Sequence, residues 1–385
     1  MTSLFKAFLC ASGAVILLAF THSSKTSRPA SPPATVVPKI QVAILLDVSS
    51  SMNGLIEQAK IQLWNMVSVM GKAKCAAGSP GIEIALYEYG RSSNNSKAGY
   101  IRRLSPFTTD LDTLSQSLFS LTTDGGDEYC GQVIHTAIDS LAWDSNPQSY
   151  KVIFIAGNED FLQGSITYTS ACDAASRKGV IVNTIYCGPR AQGILEHWNL
   201  GSKCGAGSFT VIDQDAQIED IPTPYDSALM VLNSSLNNTY IGYGSNGRRK
   251  KEVMGNMDVA NYGVSTAAGI KRVQVKGNSR TYNNASWDLV DAARADSAVY
   301  RNLAPDALPD SLRNKSGEEL KAIVSRMSAE REAVQNNIAD LSAKRESWLL
   351  TARRNRPLSQ AAATLESQVE AIIRAQAGRF HMTVD

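Results

Sequence analysis

The chain has 385 residues, enough for two domains or for one domain with a large appendage. A hydrophobic fraction of 43% and a charged fraction of 19% belong to a globular protein and exclude a disordered or fibrous one. The formal net charge of +2 supplies no general pull toward nucleic acid or an anionic membrane. At the amino terminus Lys6 precedes an apolar run from Ala7 to Phe20, and the polar, Pro-rich Thr21 to Pro38 follows. One positive charge and about 14 mostly apolar residues read as a secretory signal over residues 1–22, short for a bilayer span. Residues 23–38 then read as a flexible tether. Cys10 lies ahead of most of the apolar core, which argues against lipidation there. The expected location is secreted or periplasmic, with an uncleaved membrane anchor and envelope association as the alternative. Export permits disulfides. Cys75, Cys130, Cys172, Cys187 and Cys204 are an odd set, so one is free or pairs between chains.

Ile40 to Ser51 opens with an apolar run broken only by Gln41, the pattern of a strand buried on both faces of a parallel sheet. It ends in Asp47-Val48-Ser49-Ser50-Ser51, and Leu55 to Met70 is amphipathic with a helical period. Ile82–Tyr89 reads as a second strand, Tyr100–Leu104 as a short edge strand, and Leu111–Leu121 and Gln132–Leu141 as helices. Lys151–Ile155 and Val180–Tyr186 are further buried strands, joined by a helix from about Ser165 to Lys178. A helix over Ala191–Leu200 and a strand over Ser208–Ile212 complete the alternation. Such alternation predicts an α/β fold with a doubly wound, mostly parallel sheet flanked by helices.

Asp47, Ser49 and Ser51 place a carboxylate and two hydroxyls at alternate positions where the first strand runs out, the edge at which open α/β sheets bind ligands. Hard oxygen donors suit Mg²⁺, Mn²⁺ or Ca²⁺ and suit zinc poorly. The bland alternative is a Ser-rich loop in which Asp47 caps the next helix. These three residues match the DxSxS signature of the von Willebrand factor A domain, and the chain resembles that family; Gly157-Asn158-Glu159, Gln163-Gly164 and Tyr186-Cys187-Gly188 resemble its secreted bacterial-type subgroup. The resemblance implies an A domain over residues 39–222 with one divalent cation at its rim. It further implies a protein partner whose carboxylate completes the ion's coordination.

Two more loops should reach that rim. In Thr122-Thr123-Asp124-Gly125-Gly126-Asp127-Glu128, Asp127 stands where many A domains carry a threonine, so Asp127 or Thr123 is the expected ligand. In Ala156-Gly157-Asn158-Glu159-Asp160 the family's Thr-Asp-Gly carboxylate is missing, and Glu159 or Asp160 is the candidate substitute. In this topology Cys130 and Cys187 both fall at the rim and form the expected disulfide.

Residues 223–310 read as a mixed segment packing on the A domain. Tyr225–Leu236 is its closing helix, Gly255–Thr281 is of mixed character, Arg248–Lys251 is a solvated turn and Trp287 a packing anchor. Beyond Ser316 the spacing of Leu320, Val324, Met327, Val334, Ile338, Leu341 and Trp348 predicts one long helix, with Arg331 and Arg345 interrupting its seam. Leu365, Val369, Ile372 and Ala375 predict a second. Residues 316–378 are therefore expected as a C-terminal α-helical hairpin or coiled coil.

These features favour an exported, non-enzymatic protein that binds or adheres through metal. One alternative is a spacer with a vestigial metal site, working through its C-terminal helices. A remoter one is a serine hydrolase using Ser49 or Ser51 with His135, His197 or His381. The chain carries no G-x-S-x-G elbow, no H-E-x-x-H and no phosphate-binding glycine loop. Oligomeric state stays open.

Overall fold

The structure, a computed structural model, describes residues 37–212, 220–301, 303–354 and 365–384. The expected signal, residues 1–22, and nearly all of the tether lie outside the described residues. No described helix is long and apolar enough to cross a membrane.

The first half of the chain runs β1 (Lys39–Asp47), α1 (Asn53–Met70), β2 (Ala73–Lys74), β3 (Gly81–Tyr89), β4 (Arg102–Thr108), α2 (Leu111–Phe119), α3 (Cys130–Ser140), β5 (Tyr150–Gly157), α4 (Tyr168–Arg177), β6 (Val180–Cys187), α5 (Arg190–Leu195), α6 (Trp198–Cys204) and β7 (Ala206–Ile212). Six of the strands form one sheet in the order β4-β3-β1-β5-β6-β7, parallel throughout except for β4. This is the doubly wound sheet expected, with β1 at its centre between β3 and β5. Because helices cover both faces, alternate residues of β1 enter different cores. Ile40, Val42, Ile44 and Leu46 pack with Trp64 and Met66 of α1, while Ala43 and Leu45 pack with Val133 and Ile134 of α3. The carboxyl ends of β1, β3, β5 and β6 share one edge, which gathers Asp47, Tyr89, Gly157 and Cys187.

Helices α3 and α4 cross at Gly131, where a Cβ would lie 2.1 Å from the carbonyl oxygen of Ile166. Gly131→Ala should therefore destabilise by about 1–3 kcal/mol through overpacking, although alanine gains about 1 kcal/mol in helix propensity. A urea titration showing a more stable variant would refute this contact.

The cysteines pair differently from expectation. Cys172 of α4 is bonded to Cys204 at the end of α6, with Cα atoms 5.8 Å apart, and Cys75, Cys130 and Cys187 are free. The expected Cys130–Cys187 bridge is not formed. Both thiols are buried in opposite cores, and Cys130 lies 3.9 Å from the hydroxyl of Tyr89. The bridge that does form ties together two helices on one face of the sheet. Its loss in Cys172→Ser should cost about 2–4 kcal/mol, and a wild-type protein whose melting is indifferent to reductant would contradict it.

The second half is helical: α7 (Asp226–Asn238), α8 (Gly247–Val264), α9 (Thr266–Lys276), α10 (Leu289–Ala295), α11 (Gly317–Arg354) and α12 (Leu365–Ala377), followed by β8 (Thr383–Val384), which pairs with β2. Gly255–Thr281, expected to be of mixed character, is mostly two helices, with Ser265 accepting from the amide of Ala268 as the cap of α9. Their periodicity is hidden because buried positions carry ions. Arg272 reaches Asp258 and Asp112 at 2.6 Å each, and Lys276 reaches Asp258 at 2.8 Å, all four residues buried. Lys250 likewise pairs with Asp110 inside α8 instead of lying in a solvated turn. Trp287 is the buried anchor expected of it.

Both C-terminal helices form, and Ser316 and Glu319 exchange the two bonds of a capping box at 2.8 and 3.2 Å. Their seams are covered by the body of the protein. Helix α11 packs on α7, α9 and α10, and α12 packs on α1 and β7. The two arginines that interrupt the α11 seam explain this. Arg331 bonds Asp288 at 2.7 Å and Asp291 at 2.6 Å, and Arg345 bonds Asp226 at 2.8 Å, partners that only the body supplies.

Candidate functional site

Four loops meet at the carboxyl edge of the sheet. The first follows β1. The amide of Val48 donates to Tyr89 (2.9 Å), and the amide of Asp124 donates to Val48 (2.9 Å), which stitches this loop to those after β3 and α2. Ser92 donates to Asp124 at 2.7 Å, and Arg91 bonds both the hydroxyl and the carbonyl of Thr122. A Cβ on Gly126 would lie 2.7 Å from the Gly90 carbonyl, so only glycine lets these two backbones touch.

Asp47 sits at the centre, fully buried. Its Oδ1 accepts the Ser49 amide at 2.7 Å, while its Oδ2 has no hydrogen-bond partner. Burial pushes its carboxyl up to about 7, partly offset by that amide. Space around it is kept by glycine. A Cβ on Gly157 would come within 3.0 Å of Oδ2, and one on Gly90 (φ +81°) would meet Oδ1 of Asp47 at 2.9 Å and Cγ of Glu128 at 2.8 Å.

Glu128 is therefore the second carboxylate of the site, flanking Gly90 from the other side. Burial pushes it up to about 8, and the charges of Asp47 and Glu159 push the same way. Burial is the largest cause of both shifts, and the charge of Glu159 adds to each. The hydroxyls of Ser49 and Ser51 lie 3.4 Å apart, and Asn158 donates its amide to Ser51 at 3.3 Å. The Oδ1 of Asn158 is buried and unpartnered.

The structure brings Asp47, Ser49 and Ser51 together, adds Glu128 and Asn158, and commits Thr123 and Asp127 to other partners. Thr123 bonds Asn53 at 2.9 Å, and Asp127 accepts from the Tyr129 hydroxyl at 3.0 Å. Glu159 is exposed and acts on the pair through its charge. Sequence reasoning missed Glu128 because the family pattern directs attention to the position just after the glycine pair. The available signal was slight: Glu128 lies two residues before α3, at the end of a loop already expected at the rim.

Among the described residues no three His, Cys, Asp or Glu side chains gather as a metal-binding group. An ion here would take its charged ligands from Asp47 and Glu128 and its neutral ones from Ser49, Ser51, Asn158 and water. That all-oxygen set fits a hard divalent cation, and the orphaned Oδ2 of Asp47 and Oδ1 of Asn158 fit it too. Two of the candidate histidines are engaged elsewhere: His197 with Asp160 at 3.0 Å and His135 with Asp139 at 3.2 Å.

No protein-family model matches the chain, and no curated protein matches it. Solved structures do. The SpRpn10 VWA domain is 15% identical over 46% of this chain and 90% of its own, with a TM-score of 0.35. An aerotolerance-related membrane protein from Bacteroides fragilis is 16% identical over 45% of this chain and 92% of its own, with a TM-score of 0.32. Proximal thread matrix protein 1 from the mussel byssus, solved with a zinc-occupied MIDAS motif, is 13% identical over 46% of this chain and 43% of its own, with a TM-score of 0.34. The likeness is one of fold alone, that of the von Willebrand factor A domain.

Proposed function

We propose that this is a non-enzymatic, exported interaction protein whose rim holds one divalent cation and binds a partner's carboxylate through it. The observation that carries the reading is the buried, unpartnered Oδ2 of Asp47 lying beside the second buried acid Glu128. A native fold tolerates such an orphan poorly unless something is meant to meet it. Asp47 and Glu128 would hold the ion by charge, with Ser49, Ser51 and Asn158 completing the protein's share. When bound, the ion offers an open coordination position that favours an incoming carboxylate in a partly dehydrated setting. Export is supported by the sequence of residues 1–22, and adhesion at the envelope is the setting that follows from it.

Calorimetric titration with Mg²⁺, Mn²⁺ and Ca²⁺ tests the reading. Heat and a raised melting temperature are expected, since a ligand bound only by the folded state stabilises it. No heat and no thermal shift at millimolar metal would leave the protein as a spacer with a vestigial rim.

A further inference from the structure

Helices α1, α9, α11 and α12 enclose a recess of about 50 Å³ near the carboxyl end of α11. Two residues that line it carry polar groups the fold leaves unused. Asn65 of α1 is 2% exposed; its amide donates to Gln62 at 3.4 Å, while its Oδ1 has no hydrogen-bond partner. Arg345 of α11 is 3% exposed, and its Nε donates to Asp226 at 2.8 Å. Neither of its terminal nitrogens makes a hydrogen bond among the described residues, and Glu346 comes no nearer to Nη1 than 3.9 Å. A buried guanidinium fork and a buried carbonyl oxygen, both open toward one recess, cost stability unless something meets them.

The recess selects by charge and by size. Lys271 stands 3.5 Å from both Glu346 and Glu366, longer than a hydrogen bond, so each carboxylate keeps acceptor capacity. Lys271, Arg345 and Arg353 balance Glu346, Glu366 and the Asp226 paired with Arg345. A lone anion or a lone cation would enter with its charge uncompensated, whereas a molecule carrying both would not. Ile61, Ile221 and Leu349 supply apolar lining, which lowers the local dielectric. At about 10–15 Å³ for each water-sized atom the space holds roughly three to five of them. That is the size of an ammonium, an α-carbon and a carboxylate. Beyond this head group there is room, because Lys271, Glu346, Arg353 and Glu366 also line a groove of about 1110 Å³ along α11.

We propose that the recess binds a free α-amino acid. Its carboxylate sits on the open fork of Arg345, its ammonium on Oδ1 of Asn65 and the neighbouring glutamates, and its side chain extends into the groove. Asn65 lies about 18 Å along α1 from Asn53, at 1.5 Å per residue, and Asn53 meets the rim through Thr123. The site is therefore separate from the rim and independent of any cation there.

Calorimetric and melting titrations of the full chain in chelator test this. Glycine, alanine and serine should bind and raise the melting temperature. Acetate, methylamine, N-acetylglycine and glycinamide each lack one of the two charges, and each should bind at least about tenfold more weakly than glycine. Asn65→Leu should lose at least about tenfold in glycine affinity, yet the ligand-free variant should melt at or above wild type, since an unpartnered acceptor has gone. An asparagine with only a structural role would show the opposite, a lower melting temperature and unchanged binding. Arg345→Lys keeps a charge beside Asp226 but has no fork, and it should lose glycine binding as well. Absence of heat and thermal shift across the common amino acids at millimolar concentration would overturn the proposal. So would acetate binding as tightly as glycine, binding that chelator abolishes, or variants at Asn65 and Arg345 that bind glycine as wild type does.

Discussion

Arg272→Ala is expected to destabilise the protein by about 3–5 kcal/mol, the scale of breaking a buried ion pair by removing one partner. Arg272 is 1% exposed on α9, and its guanidinium has three partners: Asp258 and Asp112 at 2.6 Å each, and the carbonyl of Met254 at 2.9 Å. Its face also lies 4.6 Å from the centre of the Trp64 ring on α1. Alanine would leave Asp112 with only the Tyr282 hydroxyl, and Asp258 with Lys276 and two asparagines. Two carboxylates would then share one buried cation. Burial by itself would raise the Asp258 carboxyl, but the charges of Arg272 and Lys276 more than offset it and hold it below the ordinary range. A carboxyl depressed in this way stabilises the fold above its unfolded pKa, near 4, and that contribution is lost as pH falls toward the folded value. The wild type should therefore be most acid-sensitive in this helical layer. Urea denaturation followed by Trp fluorescence measures the variant, and a loss below about 1 kcal/mol, as for an exposed pair, would show that water reaches the cluster.

That cluster also explains which parts of the chain the sequence reveals. β1, β3, β5 and β6 are found from sequence because most residues they bury are apolar, with Gln41, Glu88, Lys151, Asn183 and Thr184 as polar exceptions, so a nearly unbroken run and a buried strand are the same observation. Helix α11 is found because its apolar seam survives two interruptions, and those interruptions, Arg331 and Arg345, are the residues that dock it. Nothing local says that their partners are Asp288, Asp291 and Asp226, between 40 and 119 residues away. Helices α8 and α9 stay hidden because Asp258, Arg272 and Lys276 occupy the positions where a periodicity search needs hydrophobes. In the site the same limit applies. Asp47, Ser49 and Ser51 lie on one continuous turn, so their spacing carries their geometry. Glu128 is fixed by how the loops after β3 and α2 press together at Gly90 and Gly126, a contact between segments more than 30 residues apart.

Those two kinds of assignment separate in one experiment on the cation. Glu128→Gln and Asp47→Asn should each weaken Mn²⁺ or Mg²⁺ binding by at least about 100-fold, or roughly 2.7 kcal/mol at 1.36 kcal/mol per decade, because each removes a full charge from a buried site at low effective dielectric. Thr123→Ala and Asp127→Ala should weaken it by less than about threefold, a change under roughly 0.7 kcal/mol, because their side chains are committed to Asn53 and Tyr129. The same carboxylate substitutions should act oppositely on the cation-free protein. With folded values near 7 and 8, Asp47 and Glu128 bind more protons folded than unfolded between about pH 4 and pH 8, so stability declines as pH rises through that window. Glu128→Gln removes one of the two charges that develop there. At pH 8 without metal it should melt higher than wild type, and with saturating metal the order should reverse. A Glu128→Gln variant that binds metal normally while Asp127→Ala does not would return the second carboxylate to the position that the family pattern predicts, and would mean that the loop after α2 rearranges when the ion enters.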